Sequence, residues 1–345
     1  MSVSSSSRIP SLDGLRAFSI LLVIIGHMWG RFAGLSIFGV HIFFVISGYL
    51  ITTLLQNEYC RDEQISLVDF YRRRCFRILP AAYTYIFIGA LLWPVSRSAL
   101  LYAATYMVSY HLYNIPLWMF QLWSLSVEEQ FYLLWPIALV LGFRYRGRIA
   151  CLAMAIAALW RLVFALSPIH VYGLYMHFSF PGSIDSIAAG CLLAIYEPQI
   201  RGRFGWMSEA TPIVVALPVT AHTLGGLWWG ESPILGVRCM SAFWGLVPLL
   251  IALWIFLLVE RQDQLFNNRI ASTLGVLSYS LYLWQQPFTE ERRHGVLSSL
   301  LLISSCAALS YVCVEKPMLR LGAILKPSRI AAARETAAGE LQAAD

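Results

Sequence analysis

Charge is scarce in this chain. Asp, Glu, Lys and Arg make up 13% of its 345 residues against 58% hydrophobic, and the mean hydropathy is +0.64. A soluble domain of this size needs a charged surface that such a composition does not supply. Paired cysteines are missing too. Cys60, Cys75, Cys151, Cys191, Cys239, Cys306 and Cys313 are scattered, odd in number and without a C-x-x-C spacing, which argues against a disulfide framework and a zinc site, so no metal is expected. No strong internal repeat is visible, and no appended soluble catalytic domain is expected. The first apolar run lacks a small-residue cleavage site and carries Arg31 just beyond it, so it reads as a retained span and not a signal peptide. The net charge of +6 is no nucleic-acid signal, because the arginines sit in short clusters between apolar runs, where they report topology.

What fills the chain instead is a series of long apolar runs, the pattern of an all-α, polytopic membrane helix bundle of about ten transmembrane helices. The spans are expected at about 12–31, 36–55, 79–94, 122–142, 149–166, 183–197, 210–227, 239–259, 272–289 and 296–314. The polar stretch 56–76 reads as a loop, and four arginines in its closing segment, Arg72-Arg73-Arg74-Cys75-Phe76-Arg77, place it in the cytoplasm. Pro80 is expected in the first turn of span three, where proline is tolerated. The piece from 98 to 113 is assigned to the outer interface or a re-entrant turn, which keeps Arg144, Arg146 and Arg148 inside. An outer loop then holds His170 and His177, and Trp228-Trp229 suits an outer aromatic belt. Both termini are expected in the cytoplasm. Residues 1–326 are expected to form a single integral membrane domain and 327–345 a short disordered tail.

A few polar residues stand out within these runs. Arg16 and His27 are eleven positions apart, which on a helix leaves them about 20° apart on one face and about 16 Å apart along the axis. With Arg16 at a membrane interface, His27 falls near the middle of a hydrocarbon layer about 30 Å thick. An ionisable group at that depth is costly unless it faces a cavity or a partner, so it marks a functional candidate. A neutral imidazole has a free ring nitrogen suited to a general base. The other reading is a packed bundle histidine bonded to a hydroxyl or carbonyl.

Span four opens on Leu122-Trp123-Ser124-Leu125-Ser126-Val127-Glu128-Glu129, and Ser124, Glu128 and Tyr132 share a face at a spacing of four. A Glu128 carboxylate near His27 would orient the ring and stabilise its imidazolium; otherwise Glu128 is a helix N-terminal carboxylate facing the dipole. Glu129, on a different face, reads as structural. The arginines from 72 to 77 are a topology determinant, or also a phosphate site in which Arg74 and Arg77 share a helix face and Arg16 joins them. Spacing alone does not choose between a nucleotide and lipid headgroups.

Taken together, Leu12-Asp13-Gly14-Leu15-Arg16-Ala17 with His27, Phe43-Phe44-Val45-Ile46-Ser47-Gly48-Tyr49, Arg74 with Arg77, Trp123-Ser124-Leu125 with Glu128 and Tyr132, and Tyr279-Ser280-Leu281-Tyr282-Leu283-Trp284 resemble the acyltransferase-3 family of integral membrane O-acyltransferases. The resemblance runs in order over about residues 8 to 320. It implies transfer of an acyl group, commonly acetyl, from cytoplasmic acyl-CoA to a hydroxyl of a glycan or lipid-linked sugar, in a bacterial cytoplasmic membrane. It also implies His27 and Glu128 as catalytic residues and Arg16, Arg74 and Arg77 as donor-binding residues. Asp13, Trp123, Ser124, Tyr132 and Asp185 are implied as support, and Glu315-Lys316-Pro317 matches the family's closing motif. One departure is Trp284-Gln285-Gln286-Pro287, which has Gln where related sequences often have His. Outside the resemblance, His27 and Glu128 also suit the proton relay of a carrier or flippase, and a purely structural envelope partner would tolerate substitution of His27, Arg74 and Arg77.

Overall fold

The computed structural model describes residues 10–166, 178–203, 245–261, 266–289 and 295–325, with 214, 216, 217, 220 and 264 besides. Among them every regular element is helical. In chain order the helices are α1 (Pro10–Met28), α2 (Ala33–Asp62), α3 (Leu67–Leu92), α4 (Arg97–Ala104), α5 (Leu122–Gly142), α6 (Arg146–Leu166), α7 (Phe180–Ile200), α8 (Val247–Arg261), α9 (Arg269–Thr289), α10 (Val296–Ser310) and α11 (Lys316–Ile324). Five stretches of the described residues are long and apolar enough to cross a membrane: Ser11–Met28, Ala33–Asp62, Leu67–Leu92, Leu117–Phe164 and Val296–Ile324. The fourth contains both α5 and α6, joined by a 3₁₀ turn at Phe143–Tyr145. Most of the span expected at 210–227, the start of 239–259, the histidines at 170 and 177, the tryptophans at 228 and 229, and the tail lie outside the described residues.

The segment expected to be a loop between the second and third spans is helical almost throughout. α2 runs on to Asp62, about 45 Å in all, half as long again as a hydrocarbon layer. It ends where Glu63 takes a left-handed conformation at φ 55° and its N–H returns to the Tyr59 carbonyl. Three residues later Ser66 caps α3, its hydroxyl accepting from the Asp69 N–H. The arginine cluster therefore lies on the first turns of a helix, and Pro80 lies well inside α3 and not in its first turn. Thr84 Oγ1 donates to the Pro80 carbonyl, inside the same helix. α4, of eight residues and about 12 Å, is too short to cross a membrane, and three 3₁₀ turns lead from it to α5.

α2 is the axis of the bundle. From Phe38 to Tyr49 only Phe43 is less than fully buried, as expected of a helix that is apolar all round. Its most extensive packing is with α7, where Gly48 and Gly190 let the backbones touch: a Cβ on Gly190 would stand 2.0 Å from the Val45 carbonyl oxygen. α1 packs as closely on α9, where a Cβ on Gly275 would stand 2.0 Å from the Asp13 carbonyl oxygen. α5 and α6 lie at the rim, with Leu133, Leu134, Leu141, Leu152 and Leu159 each more than half exposed on a surface suited to lipid tails.

Between α10 and α11 the chain winds one π turn, Tyr311–Glu315, a register break that often accompanies a functional site. It delivers Glu315 inward to accept a hydrogen bond from the Ser280 hydroxyl on α9.

Candidate active site

Five helices meet around one cavity of about 90 Å³. α1 lends Arg16, α3 lends Arg74, Arg77 and Ile78, and α5 lends Ser124, Leu125, Glu128 and Tyr132. α2 adds Val40, Phe43, Phe44 and Ser47, and α9 adds Ser278, Tyr279 and Tyr282. The contributions of α2, α3, α5 and α9 each recur at three or four residues, so each is one stripe of one helix. The Arg74 and Arg77 pair and the Ser124, Glu128 and Tyr132 stripe are brought to the same place as Arg16. Glu129 is not among the lining residues.

The side chains of this cavity are held across helices. Ser47 Oγ donates to Glu128 Oε1 at 2.6 Å, and Tyr132 OH donates to Ser47 Oγ at 3.3 Å. The Ser124 and Tyr282 hydroxyls stand 2.6 Å apart, Tyr282 OH donates to the Gln121 carbonyl at 3.1 Å, and Tyr279 OH donates to the Ile78 carbonyl at 2.9 Å. Trp123 does not line the cavity; it packs edge-on against Phe44 and Phe178 and so braces α2 against α5. The cations are held more loosely. The Arg74 guanidinium lies 5.4 Å from the Tyr132 ring centre and 5.7 Å from that of Phe70. Arg16 reaches Asp13 at 3.8 Å, while Arg74 and Arg77 form no ion pair among the described residues. Three guanidiniums against one carboxylate leave this cavity a formal charge of +2. Like charges gathered between walls of Val40, Phe43, Phe44, Ile78 and Leu125 repel one another unless an anion joins them, so the cavity has the chemistry of an anion site.

His27 lies outside this cavity, near the opposite end of α1, about 16 Å beyond Arg16 along the helix axis. It is partly buried, and its Nδ1 lies 2.9 Å from the Val23 carbonyl oxygen one turn back. A carbonyl only accepts, so Nδ1 carries the hydrogen and Nε2 keeps its lone pair. The pairing expected between His27 and Glu128 is not made: Glu128 is held by Ser47, and the group that orients the imidazole is a backbone carbonyl. Helical rise explains the difference, because Arg16 and Glu128 share one level of the bundle and His27 lies about three turns further along α1.

Asp185 is also elsewhere. Fully buried at the start of α7, it accepts from Arg161 NH2 at 2.7 Å, and Arg161 NH1 donates to the Gly182 carbonyl. Next to it, Ser186 Oγ stands 2.6 Å from His41 Nδ1, so α2, α6 and α7 share a buried polar seam. Arg161 was a visible clue in the sequence, a lone arginine inside an apolar run, and it carries the charge that answers Asp185. Ser47, Ser278, Tyr279 and Tyr282 received no individual role from spacing. A serine in a span satisfies itself equally well on its own helix backbone, and only the neighbouring helix decides otherwise. Among the described residues no cluster of His, Cys, Asp and Glu is arranged to hold a metal.

Comparison with known proteins finds relatives over most of this chain. The chain is 29% identical to O-acetyltransferase OatA of Staphylococcus aureus, over 91% of the chain and 58% of that protein. It is 31% identical to the putative peptidoglycan O-acetyltransferase YrhL of Bacillus subtilis, over 90% of the chain and 55% of that protein. To the peptidoglycan O-acetyltransferase OatA of Listeria monocytogenes it is 24% identical, over 93% and 57% respectively. The chain thus spans little more than half the length of the curated relatives it matches. No solved structure matches it. A family described as an acyltransferase domain matches residues 9–290, the stretch that carries α1 to α9 with the basic cavity and His27, and the chain belongs to that acyltransferase-3 family of integral membrane O-acyltransferases.

Proposed function

We propose that this protein transfers an acetyl group from acetyl-CoA to a hydroxyl of a cell-surface glycan, with the peptidoglycan named for its relatives as the first candidate acceptor. The observation that carries the reading is the cavity that Arg16, Arg74 and Arg77 line together with Glu128, where among the described residues Arg74 and Arg77 form no ion pair and Arg16 reaches Asp13 at 3.8 Å. A donor with several phosphates supplies the missing negative charge, and guanidiniums bind phosphate oxygens bidentately. The formal +2 of the cavity matches the two negative charges of a diphosphate ester. An extended acyl-pantetheine arm anchored there is of the length that separates Arg16 from His27. In this reading the cavity opens to the cytoplasm, both termini lie on that side, and the host membrane is the bacterial cytoplasmic membrane.

In the transfer step His27 Nε2 accepts the proton of the acceptor hydroxyl as its oxygen attacks the thioester carbonyl carbon. The carbon–sulfur bond breaks, and the proton passes from the imidazolium to the departing thiolate, so an ester and free CoA result with no net change in protons. The Val23 carbonyl keeps Nδ1 as the donor and thereby holds the tautomer that accepts at Nε2. A carboxylate is not needed beside the ring for this role.

The test is the purified full chain in lipid nanodiscs, given acetyl-labelled acetyl-CoA and peptidoglycan fragments. Label is expected in ester linkage on the glycan and released by mild base. Binding of the donor without label on any glycan hydroxyl, or solute flux that follows a pH gradient without labelling, would overturn the reading.

A further inference from the structure

The cavity holds opposite charges that do not collapse on one another. Glu128 shares it with three guanidiniums, yet no carboxylate–guanidinium contact within 4.0 Å forms between them among the described residues. What holds the carboxylate instead is a neutral hydroxyl. Ser47 Oγ donates to Glu128 Oε1 at 2.6 Å, and it is itself fixed by the Tyr132 hydroxyl at 3.3 Å, one turn further along the same helix as Glu128. Ser47 is buried on the central helix α2, one turn from Phe43 and Phe44 on the same stripe, so its position is set by the packing of α2.

We propose, resting on the acyl-donor reading above, that Ser47 is a positioning residue for donor binding: it tethers the Glu128 carboxylate and so keeps Arg16, Arg74 and Arg77 open to an incoming diphosphate. A free glutamate side chain in a partly dehydrated cavity swings to the nearest guanidinium and closes the anion site from within. The Ser47 hydroxyl offers that carboxylate a charge-assisted hydrogen bond that costs no cation. Tyr132 completes the chain by giving Ser47 its own donor, leaving the serine hydrogen to point at Glu128.

The experiment compares equilibrium binding of acetyl-CoA, and separately of inorganic diphosphate, to the full chain in nanodiscs. The proteins are wild type, Ser47→Ala, Ser47→Thr, Glu128→Gln and the double variant Ser47→Ala/Glu128→Gln, each first checked for an unchanged thermal midpoint. Ser47→Ala is expected to weaken both ligands about ten-fold, the loss of one charge-assisted bond, and to raise KM for acetyl-CoA far more than it lowers kcat. Ser47→Thr, which keeps the hydroxyl, is expected to bind as wild type does. In the Glu128→Gln background, where no carboxylate exists to close the site, Ser47→Ala is expected to cost less than two-fold, the non-additivity of two residues acting through one contact. An unchanged affinity in Ser47→Ala, or an equal loss in both backgrounds, overturns the proposal. If wild type binds diphosphate and not acetyl-CoA, the donor reading fails and the Ser47 comparison is still decided with diphosphate. If wild type binds neither, both fall.

Discussion

The two ends of α1 are built on opposite plans. Around Arg16 five helices contribute side chains to one cavity, and hydroxyls on α2, α5 and α9 are bonded to partners on other helices. At His27 the polar contact that fixes the ring among the described residues is to the helix's own backbone, one turn back. The first arrangement fixes the positions of charges relative to one another, which a bound anion requires, since guanidiniums that move apart lose the bidentate geometry that discriminates phosphate. The second fixes only a tautomer, and leaves Nε2 to whatever substrate approaches. On the proposed reading, binding and proton transfer make different structural demands, and α1 would meet both by keeping Arg16 and His27 about 16 Å apart.

This contrast can be broken from either end. The largest effect is expected from His27→Ala, which removes the proposed base and leaves the cavity untouched: transfer should fall by at least about 100-fold while acetyl-CoA affinity stays within two-fold of wild type, read by labelled transfer and equilibrium binding on the same preparation. A weakened donor would show that the two ends are not separate. Next come Arg74→Ala and Arg77→Ala, each expected to weaken acetyl-CoA binding about ten-fold with a smaller change in kcat, since each would remove one proposed charge-assisted contact to phosphate. A loss confined to kcat would place these arginines at the reaction and not at the anchor. The smallest effect on chemistry is expected from Gly275→Ala, which leaves every polar group in place but puts a Cβ against the Asp13 carbonyl. It should lower the stability of the bundle by about 1 to 3 kcal/mol, seen as a reduced thermal midpoint, by pushing α1 away from α9. If donor affinity falls with it, the register of α1 against α9 is what aligns Arg16 with the other two arginines.

Much of the bundle was legible from pattern. The span expected at 122–142 coincides with α5, and those expected at 149–166, 183–197 and 272–289 fall within three residues of α6, α7 and α9. Each is a contiguous apolar run, and in a membrane such a run must close its own backbone hydrogen bonds as a helix. The loop expected at 56–76 failed for the same local reason read too narrowly. Polar side chains lower hydropathy without lowering helix propensity, so α2 and α3 continue past the apolar core until Glu63 and Ser66 stop them. The grouping of Ser124, Glu128 and Tyr132, and of Arg74 with Arg77, followed from the 3.6-residue period alone.

Partners across helices were another matter. Depth along α1 was readable, but which carboxylate lies at which depth was not, so Glu128 was matched to His27 when its neighbour is Ser47. Asp185 was visible and Arg161 was visible, yet nothing in a one-dimensional pattern says that α6 brings one to the other. By itself the sequence determined that the chain is helical and apolar, which residues share a helix face, and that Arg16 and His27 stand at two levels of one helix, because all of these depend on composition and on periods of a few residues. Tertiary structure alone decided that three arginines from two helices face one carboxylate, that a serine restrains it and that a backbone carbonyl sets the imidazole, because those contacts depend on the order and rotation of the packed helices, which the close backbone approach at Gly48, Gly190 and Gly275 helps to fix and no local period encodes.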